Sequence, residues 1–189
     1  MDLKPQASLA EFFHDAVSSA IRNQGLEASE PTEFYLVNLL AGFSTTPPDD
    51  EPLALKLASA QSAAPDERMR CLRDIGDTSL YVSGFFSESL ERKLVDVDYY
   101  IQIGCSAYGQ LARHFHRENG SAATLRSIYD ELEAKFVSFV DVLTEISEQS
   151  SLTDGDLVQL YERWLKTGSE RIARRLRARG VIPRKPEMQ

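Results

Sequence analysis

The sequence is short of the residues on which specialised chemistry depends: its 189 residues include two cysteines, three histidines and one tryptophan. Cys71 and Cys105 are too few for a disulfide framework, which favours a reducing setting and predicts a cytoplasmic protein. No apolar run approaches the roughly 20 residues that a membrane-spanning helix needs. The N-terminal segment MDLKPQASLAEFFHD carries acidic residues and lacks the apolar core of a secretory signal, so we expect none.

Catalytic signatures are also missing. The chain contains no G-x-S-x-G, no Walker loop and no C-x-x-C. Cys105 lies beside an apolar helix face, which predicts a buried inert thiol and not a nucleophile. These absences favour a non-enzymatic role, with an enzyme as the rival. Low-complexity tracts and eukaryotic targeting signals are absent too, so we expect a bacterial protein.

Positive charge is scarce overall and concentrated at one end. The net charge of −8 disfavours a general nucleic-acid coat or an anionic membrane surface as partner. Between residues 163 and 189, nine Lys or Arg oppose two Glu, so this segment carries +7 and the remainder −15. The predicted partner-binding residues are Arg171, Arg174, Arg175, Arg177 and Arg179.

Three interpretations of this basic segment remain open. The arginines could complement the negative end of the last helix and the acidic faces of the same fold. They could instead dock onto an acidic protein surface, or they could contact nucleic acid. Proteins that bind single-stranded nucleic acid interleave aromatic residues with basic ones, and this chain has no aromatic residue after Trp164.

Helical periodicity dominates what is present, and sustained alternation typical of strands is absent. The pattern predicts an all-α, single-domain helical bundle of six or seven helices over residues 8–180. A flexible leader of residues 1–7 and a flexible tail of residues 181–189 flank it. Ser8 and Glu11 form a capping box at the first helix, and Gly25 is the expected stop.

Later helices have equally local signals. Pro31 and Pro65 suit the first turn of a helix, Asp96 suits a cap, and STTPPDDE over residues 44–51 excludes helix. A long helix over residues 121–149 carries a heptad-like apolar stripe. That stripe, with the apolar face of a last helix over residues 153–179, predicts self-association as a homodimer.

The stretch from Leu72 to Leu111 is the most unusual part of the chain. It predicts two helices whose apolar faces are centred on small residues, which lets their axes approach closely. Close helix packing is one interpretation. The other is a pocket for a ligand, or a contact with the same helix of a second subunit. The residues of this candidate pocket or close-packing seam are Gly76, Ser79, Ser83, Tyr100, Gly104 and Tyr108.

Aspartates punctuate these helices. Asp74 and Asp77 lie three residues apart, and Asp96 and Asp98 bracket a valine. Since Asp caps helix starts, we interpret both pairs as caps and not as acid–base machinery. In one alternative, the helix breaks at Gly76 and Asp77 caps a new helix.

Metal and haem chemistry has only fragmentary support. Glu11-x-x-His14 is half of a di-iron motif whose second half is absent, and His114 and His116 diverge on a helix, so no metal is predicted. A helical chain with His14 on its first helix and glycines around Gly76 is similar in its ingredients to haem oxygenases. The segment GDTSLYVSG lies earlier than that family's GDLSGG-like kink and does not reproduce it. No cofactor is predicted, with haem as the alternative.

Together these features predict a non-enzymatic interaction or regulatory module that binds a protein partner, possibly an acidic one, and self-associates. The first alternative is a helical-bundle protein that binds a small ligand, haem or a metal. The second is a nucleic-acid-binding regulator that uses the basic C-terminal helix. The sequence does not name the partner.

Overall fold

The computed structural model describes residues 5–49, 51–86, 96–117, 121–150, 164 and 170–178. These residues form eight α-helices and no strand, so the predicted all-α fold is confirmed. The helices are α1 (Pro5–Asn23), α2 (Glu30–Thr45), α3 (Leu53–Ser62), α4 (Pro65–Phe85), α5 (Val97–His114), α6 (Ser121–Ala134), α7 (Phe136–Ser150) and α8 (Glu170–Ala178), with a 3₁₀ helix at Phe115–Arg117 after α5.

The helix count exceeds the predicted six or seven. One cause is Lys135, which lies in a turn and divides the single helix expected over residues 121–149 into α6 and α7. Most of the apolar stripe on these helices is buried within the chain, although Leu125 is 37% exposed. Its buried members are Ile128, Leu132, Phe136, Phe139, Leu143 and Ile146.

Local signals explain the helix ends. Gly25 has a φ of 63°, the left-handed conformation that glycine adopts without steric cost, and it ends α1. Pro31 and Pro65 stand in the first turns of α2 and α4, as expected. The Asp96 side chain caps α5 by accepting a hydrogen bond from the Val97 amide at 2.6 Å.

Some boundaries lie beyond what the pattern predicted. Helix α1 begins at Pro5, ahead of the predicted cap at Ser8. Residues 1–4 and the predicted tail over residues 181–189 lie outside the described residues. Of the predicted last helix, residue 164 and residues 170–178 are described as helical.

Helices α4 and α5 pack side by side at the centre and run antiparallel. Arg68 of α4 meets Gln110, Gly76 meets Tyr108, and Ser79 meets Gly104 in turn along α5. Helix α3 packs on α4, α6 on α5, and α1 on α2. Residues from all seven helices α1 to α7 enter one apolar core, with the fully buried Leu36, Leu72, Tyr108, Leu132 and Phe139 among its largest members.

A carboxylate from α6 fixes the start of α2. Glu131 accepts hydrogen bonds from the Ser29 hydroxyl at 2.6 Å and from the Ser29 amide at 3.2 Å, while Lys135 pairs with it at 3.0 Å. Burial alone would raise the pKa of Glu131, but these hydrogen bonds outweigh it and the pKa is lowered. The unpaired amide end of α2 is thereby satisfied by a neighbouring helix.

By backbone contacts the chain divides into two compact units, residues 1–146 and residues 147–189. The extent of the predicted domain, residues 8–180, stays a prediction. None of the described helices combines the length and the apolar character that a bilayer crossing requires.

Candidate functional site

Five of the six residues predicted for the central seam are buried, and four of them, Gly76, Ser79, Gly104 and Tyr108, lie where α4 meets α5. Tyr100 is the exception, since it is half-buried at the start of α5 with its ring against Tyr99. The buried members are Gly76, Ser79, Ser83, Gly104 and Tyr108.

The glycines of the seam are positions that other side chains fill. A Cβ atom built on Gly76 would stand 2.6 Å from the Tyr108 ring. One built on Gly104 would stand 2.5 Å from the Phe136 ring and 2.8 Å from the Ser79 Cβ. Both glycines therefore allow aromatic rings to lie directly on a helix backbone.

The small hydroxyl residues of α4 serve mainly by their size. Ser83 donates a hydrogen bond to the Ser79 carbonyl oxygen one turn earlier, at 2.7 Å. The Thr78 and Ser79 hydroxyls are buried and have no hydrogen-bond partner within the described part of the chain. Ser79 thus lets α5 approach because its side chain is small and not because of a polar contact.

Asp77 is the polar centre of this seam. Its Oδ1 accepts a hydrogen bond from the Tyr35 hydroxyl of α2 at 2.6 Å and another from the Tyr108 hydroxyl of α5 at 2.8 Å. Its side chain is 16% exposed. One carboxylate on α4 therefore joins three helices, and the space left by Gly76 lets the Tyr108 ring reach it.

Arg73 closes the cluster on its outer side. Its Nε lies 3.6 Å from Asp77 Oδ2, one helical turn away, and its guanidinium lies 5.5 Å from the centre of the Tyr35 ring. Tyr129 of α6 stacks on Tyr108 with ring centres 5.9 Å apart and makes a T-shaped, edge-to-face contact with Tyr35. Four helices thus contribute to this buried polar and aromatic cluster.

Burial sets the protonation of the cluster. Burial raises the pKa of Asp77 from 3.8 to about 6, although the hydrogen bonds from Tyr35 and Tyr108 and the charge of Arg73 act in the opposite direction. The pKa values of Tyr35 and Tyr108 rise well above 10, first by burial and then by the neighbouring carboxylate. Both tyrosines therefore stay protonated and donate.

The interpretation of Asp74 and Asp77 as helix caps was wrong. Helix α4 runs unbroken through Gly76, so Asp77 stands in mid-helix and the alternative of a break there was wrong as well. Asp74 accepts from Lys56 at 2.5 Å, and Asp49 accepts from the same ammonium at 2.9 Å. The sequence pattern did not predict these ion pairs, because the local preference of Asp for helix starts indicated a cap.

A signal for the cluster is nevertheless present in the sequence. Arg73 and Asp77 stand four residues apart, the spacing of a helical ion pair. Tyr35 lies in the middle of a helix that is apolar over most of its circumference, where a buried hydroxyl needs an acceptor. An acid in a long buried helix and a tyrosine in another are a candidate pair.

An aromatic cluster lies at the C-terminal end of α4. We define the aromatic cluster as Phe43 of α2 with Tyr81, Phe85 and Phe86. The Tyr81 ring stacks on Phe43 with centres 4.5 Å apart and on Phe85 at 4.8 Å, and it meets Phe86 edge-on at 5.7 Å. Phe43, Tyr81 and Phe85 are half-buried, whereas Phe86 is 43% exposed.

The predicted basic residues are only partly described. On α8, Arg174 is exposed, and Arg177 is exposed and pairs with Glu170 at 2.8 Å. The side chains of Arg171 and Arg175, and all of Arg179, lie outside the described residues.

The histidines considered for metal or haem lie at the surface. The His14 side chain is 64% exposed with its Nδ1 3.5 Å from Asp15. His114 and His116 are exposed near the end of α5. Within the described stretches, no three side chains of His, Cys, Asp or Glu come together as a metal site would require.

No protein-family model, curated protein or solved structure matches this chain.

Proposed function

We propose that the protein is a non-enzymatic helical interaction module that binds a protein partner through the aromatic cluster. The observation that carries the proposal is that three stacked rings lead from the core to an exposed Phe86. Aromatic side chains are enriched at the centres of protein interfaces. A ring held by its neighbours loses little conformational freedom on binding, which suits such a contact.

The position of the aromatic cluster supports this role. Because α4 and α5 are antiparallel, the end of α4 and the start of α5 lie at the same end of the helix pair. Tyr99 and Tyr100, both half-buried, stand there at the start of α5. We propose that the predicted site residue Tyr100, which is half-buried, extends the aromatic surface, unlike the buried residues of the seam.

The basic C-terminal helix is the second proposed contact, and an acidic partner surface would suit it. The segment from residue 163 onward carries +7 in a chain of net charge −8. Arg174, which is exposed, would contribute to such a contact. The free thiols Cys71 and Cys105 suit the reducing cytoplasm that we propose as its setting.

Self-association is also part of the proposal. Most of the stripe on α6 and α7 is buried within the chain, so it offers less to a second copy than its sequence suggests. Leu125 remains 37% exposed and Val137 56% exposed. Light scattering after size-exclusion chromatography should give the mass of a dimer. A monomer mass at high protein concentration would contradict self-association.

Affinity capture from source cells with quantitative mass spectrometry tests partner binding. The chain offers a matched control, since Phe34 is an exposed phenylalanine, 65% accessible, that is not part of the aromatic cluster. We expect a partner captured by the wild type to be retained by Phe34→Ser. Phe86→Ser should lower its recovery, since the dissociation constant rises about thirtyfold if Phe86 contributes about 2 kcal/mol to binding.

One further variant, Arg174→Gln, separates the basic contact from the aromatic one. Arg174→Gln should weaken capture of an acidic partner and should make the remaining binding less sensitive to salt. Equal recovery with the wild type, Phe86→Ser and Phe34→Ser would contradict the proposed role of the aromatic cluster.

A further inference from the structure

A groove lies at the opposite end of α4, about 25 Å along the helix axis from Phe85 at 1.5 Å per residue. It has a volume of about 530 Å³ and lies between the start of α4, the end of α5 and the residue that follows α3, Ala63. Pockets of 300–1,000 Å³ suit small organic molecules. The groove is thus distant from the aromatic cluster, and none of its lining residues is one of the seam residues.

The groove has an apolar floor and a basic rim. Met69 of α4 is half-buried and supplies the accessible apolar surface, whereas Leu72, which also lines the groove, belongs to the core and is 1% exposed. Arg68, Arg113 and His114 supply nitrogen donors around it. The methionine side chain is flexible and can adapt to an apolar ligand.

Arg68 is oriented towards this groove by a neighbouring helix. Its Nη2 donates to Gln110 Oε1 at 3.0 Å, and both side chains line the groove. Gln110 in turn donates to the Ser106 hydroxyl at 3.4 Å. A guanidinium held at one nitrogen has its remaining N–H groups free to bind a carboxylate in a fixed geometry.

The helix dipole does not explain Arg68. Arg113 and His114 occupy the last turn of α5, where positive charge is favourable in any case. Arg68 stands near the start of α4, where the dipole disfavours positive charge and where Asp66 and Glu67 are the expected residues. A basic residue in this unfavourable position is explained if it meets an anion.

Local acids leave this positive charge largely uncompensated. Glu133 lies 4.0 Å from Arg113 and is its partner. In the described parts of the chain, Arg68 and His114 pair with no carboxylate. A basic rim over an apolar floor, in a protein of net charge −8, fits a ligand that carries both an anionic head and an apolar body.

We propose that this groove binds a small amphiphilic carboxylate, with its alkyl chain on Met69 and its carboxylate on Arg68. Arg113 and His114 add donors at the rim. The site is independent of the aromatic cluster, so it stands whether or not a protein partner binds there.

Octanoate is the probe, and the full-length protein with ¹³C-labelled methionine methyl groups is the sensor. The sequence has three methionines, so the Met69 methyl is assigned by its loss in Met69→Leu. We expect a saturable shift of the Met69 signal with octanoate. Octanol, which has the same chain and no charge, should bind at least fivefold more weakly.

Two arginine variants test the assigned contact. Arg68→Gln should weaken octanoate binding at least fivefold. Arg68→Lys keeps the charge and loses the planar fork, so its affinity for octanoate should lie between those of the wild type and Arg68→Gln. Arg70→Gln is the matched control, because Arg70 is exposed on the same helix and does not line the groove. An unchanged far-ultraviolet circular dichroism spectrum and thermal midpoint confirm that each variant is folded.

Three outcomes would overturn the proposal. One is the absence of a saturable Met69 shift up to about 10 mM octanoate, the range of the weakest specific binding. Another is equal weakening by Arg68→Gln and Arg70→Gln, which would indicate general charge attraction. The third is tighter binding of octyl phosphate than of octanoate, which would assign the groove to a different anion.

Discussion

Asp77 is the residue on which three helices depend, because its Oδ1 receives the hydroxyls of Tyr35 on α2 and Tyr108 on α5. A buried carboxylate is costly without partners, and charge-assisted hydrogen bonds offset that cost. Removing one tyrosine hydroxyl leaves the Asp77 carboxylate buried with one hydrogen bond fewer. The loss of a single tyrosine oxygen should therefore lower the stability of the fold.

Tyr108→Phe and Tyr35→Phe should each lower the free energy of unfolding by about 1–3 kcal/mol at pH 8, because each removes one donor from a buried carboxylate. Urea denaturation measures the effect. Tyr99→Phe is the control, since Tyr99 is half-buried at the start of α5 and should change stability by less than about 0.5 kcal/mol. An equal cost for Tyr99→Phe would refute the role of the hydroxyls.

The protonation of Asp77 gives a pH dependence with a definite sign. Its pKa is raised from 3.8 to about 6 on folding, so between these values the folded chain binds more protons than the unfolded chain. Its contribution to stability is complete below about pH 4 and is lost as the pH rises through 6. Because the pKa is raised by about two units, the loss over the whole titration is about 3 kcal/mol.

Asp77→Asn isolates this contribution, because an amide keeps an oxygen for both tyrosines and does not titrate in this range. Unfolding free energies of wild type and variant should be compared from pH 4 to pH 8. The wild type minus variant difference should fall by about 3 kcal/mol with increasing pH, and other groups cancel. A difference that is flat across this range would show that Asp77 titrates normally.

Among the elements, the α4–α5 pair depends on where its glycines stand. Glycine in a helix costs about 1 kcal/mol relative to alanine unless packing requires it. Gly76 is required, because its missing Cβ is the space that the Tyr108 ring occupies. Gly42 of α2 is a contrast, since a Cβ there would have no atom within 4 Å outside its own helix.

Gly76→Ala and Gly42→Ala should therefore change stability in opposite directions. Gly76→Ala should destabilise the fold by about 1–3 kcal/mol, since the fully buried Tyr108 ring has no space to move away. Gly42→Ala should stabilise it by about 0.5–1 kcal/mol through helix propensity. Thermal or urea unfolding of the two variants checks both signs. If both variants stabilised the fold, Gly76 would not be a packing position.

At the level of elements, local chemistry predicted most of the fold. Gly25, Pro31, Pro65 and Asp96 each mark a helix end by a mechanism that needs no other part of the chain. The turn at Lys135 lacked such a signal. Lys135 there donates to the Glu27 carbonyl oxygen and pairs with Glu131, and the first of these contacts spans more than a hundred residues.

The site was less predictable, for a related physical reason. The pattern identified Gly76, Ser79 and Gly104 as small positions, but which side chain fills the space depends on the crossing of two helices. Asp77 needed donors from α2 and α5, which are distant in sequence. Local preference assigned it a cap, whereas tertiary contacts determine its role.

For the whole molecule, α4 connects two surfaces of different chemistry. Its start lines a basic groove with an apolar floor, and its end contributes Tyr81, Phe85 and Phe86 to the aromatic cluster. The buried Asp77 cluster lies between them. We propose that the protein recognises its partner at the end of α4 that carries the aromatic cluster, while the seam stabilises the fold.

Site-specific photo-crosslinking in source cells tests that claim most directly. A benzoylphenylalanine at position 86 should form a discrete adduct with a partner protein, and one at position 34, which is more exposed, should not. Tyr108→Phe, which weakens the seam, should leave the adduct at position 86 in place as long as the protein is folded. Adducts of equal yield at positions 86 and 34, or none at position 86, would contradict the account.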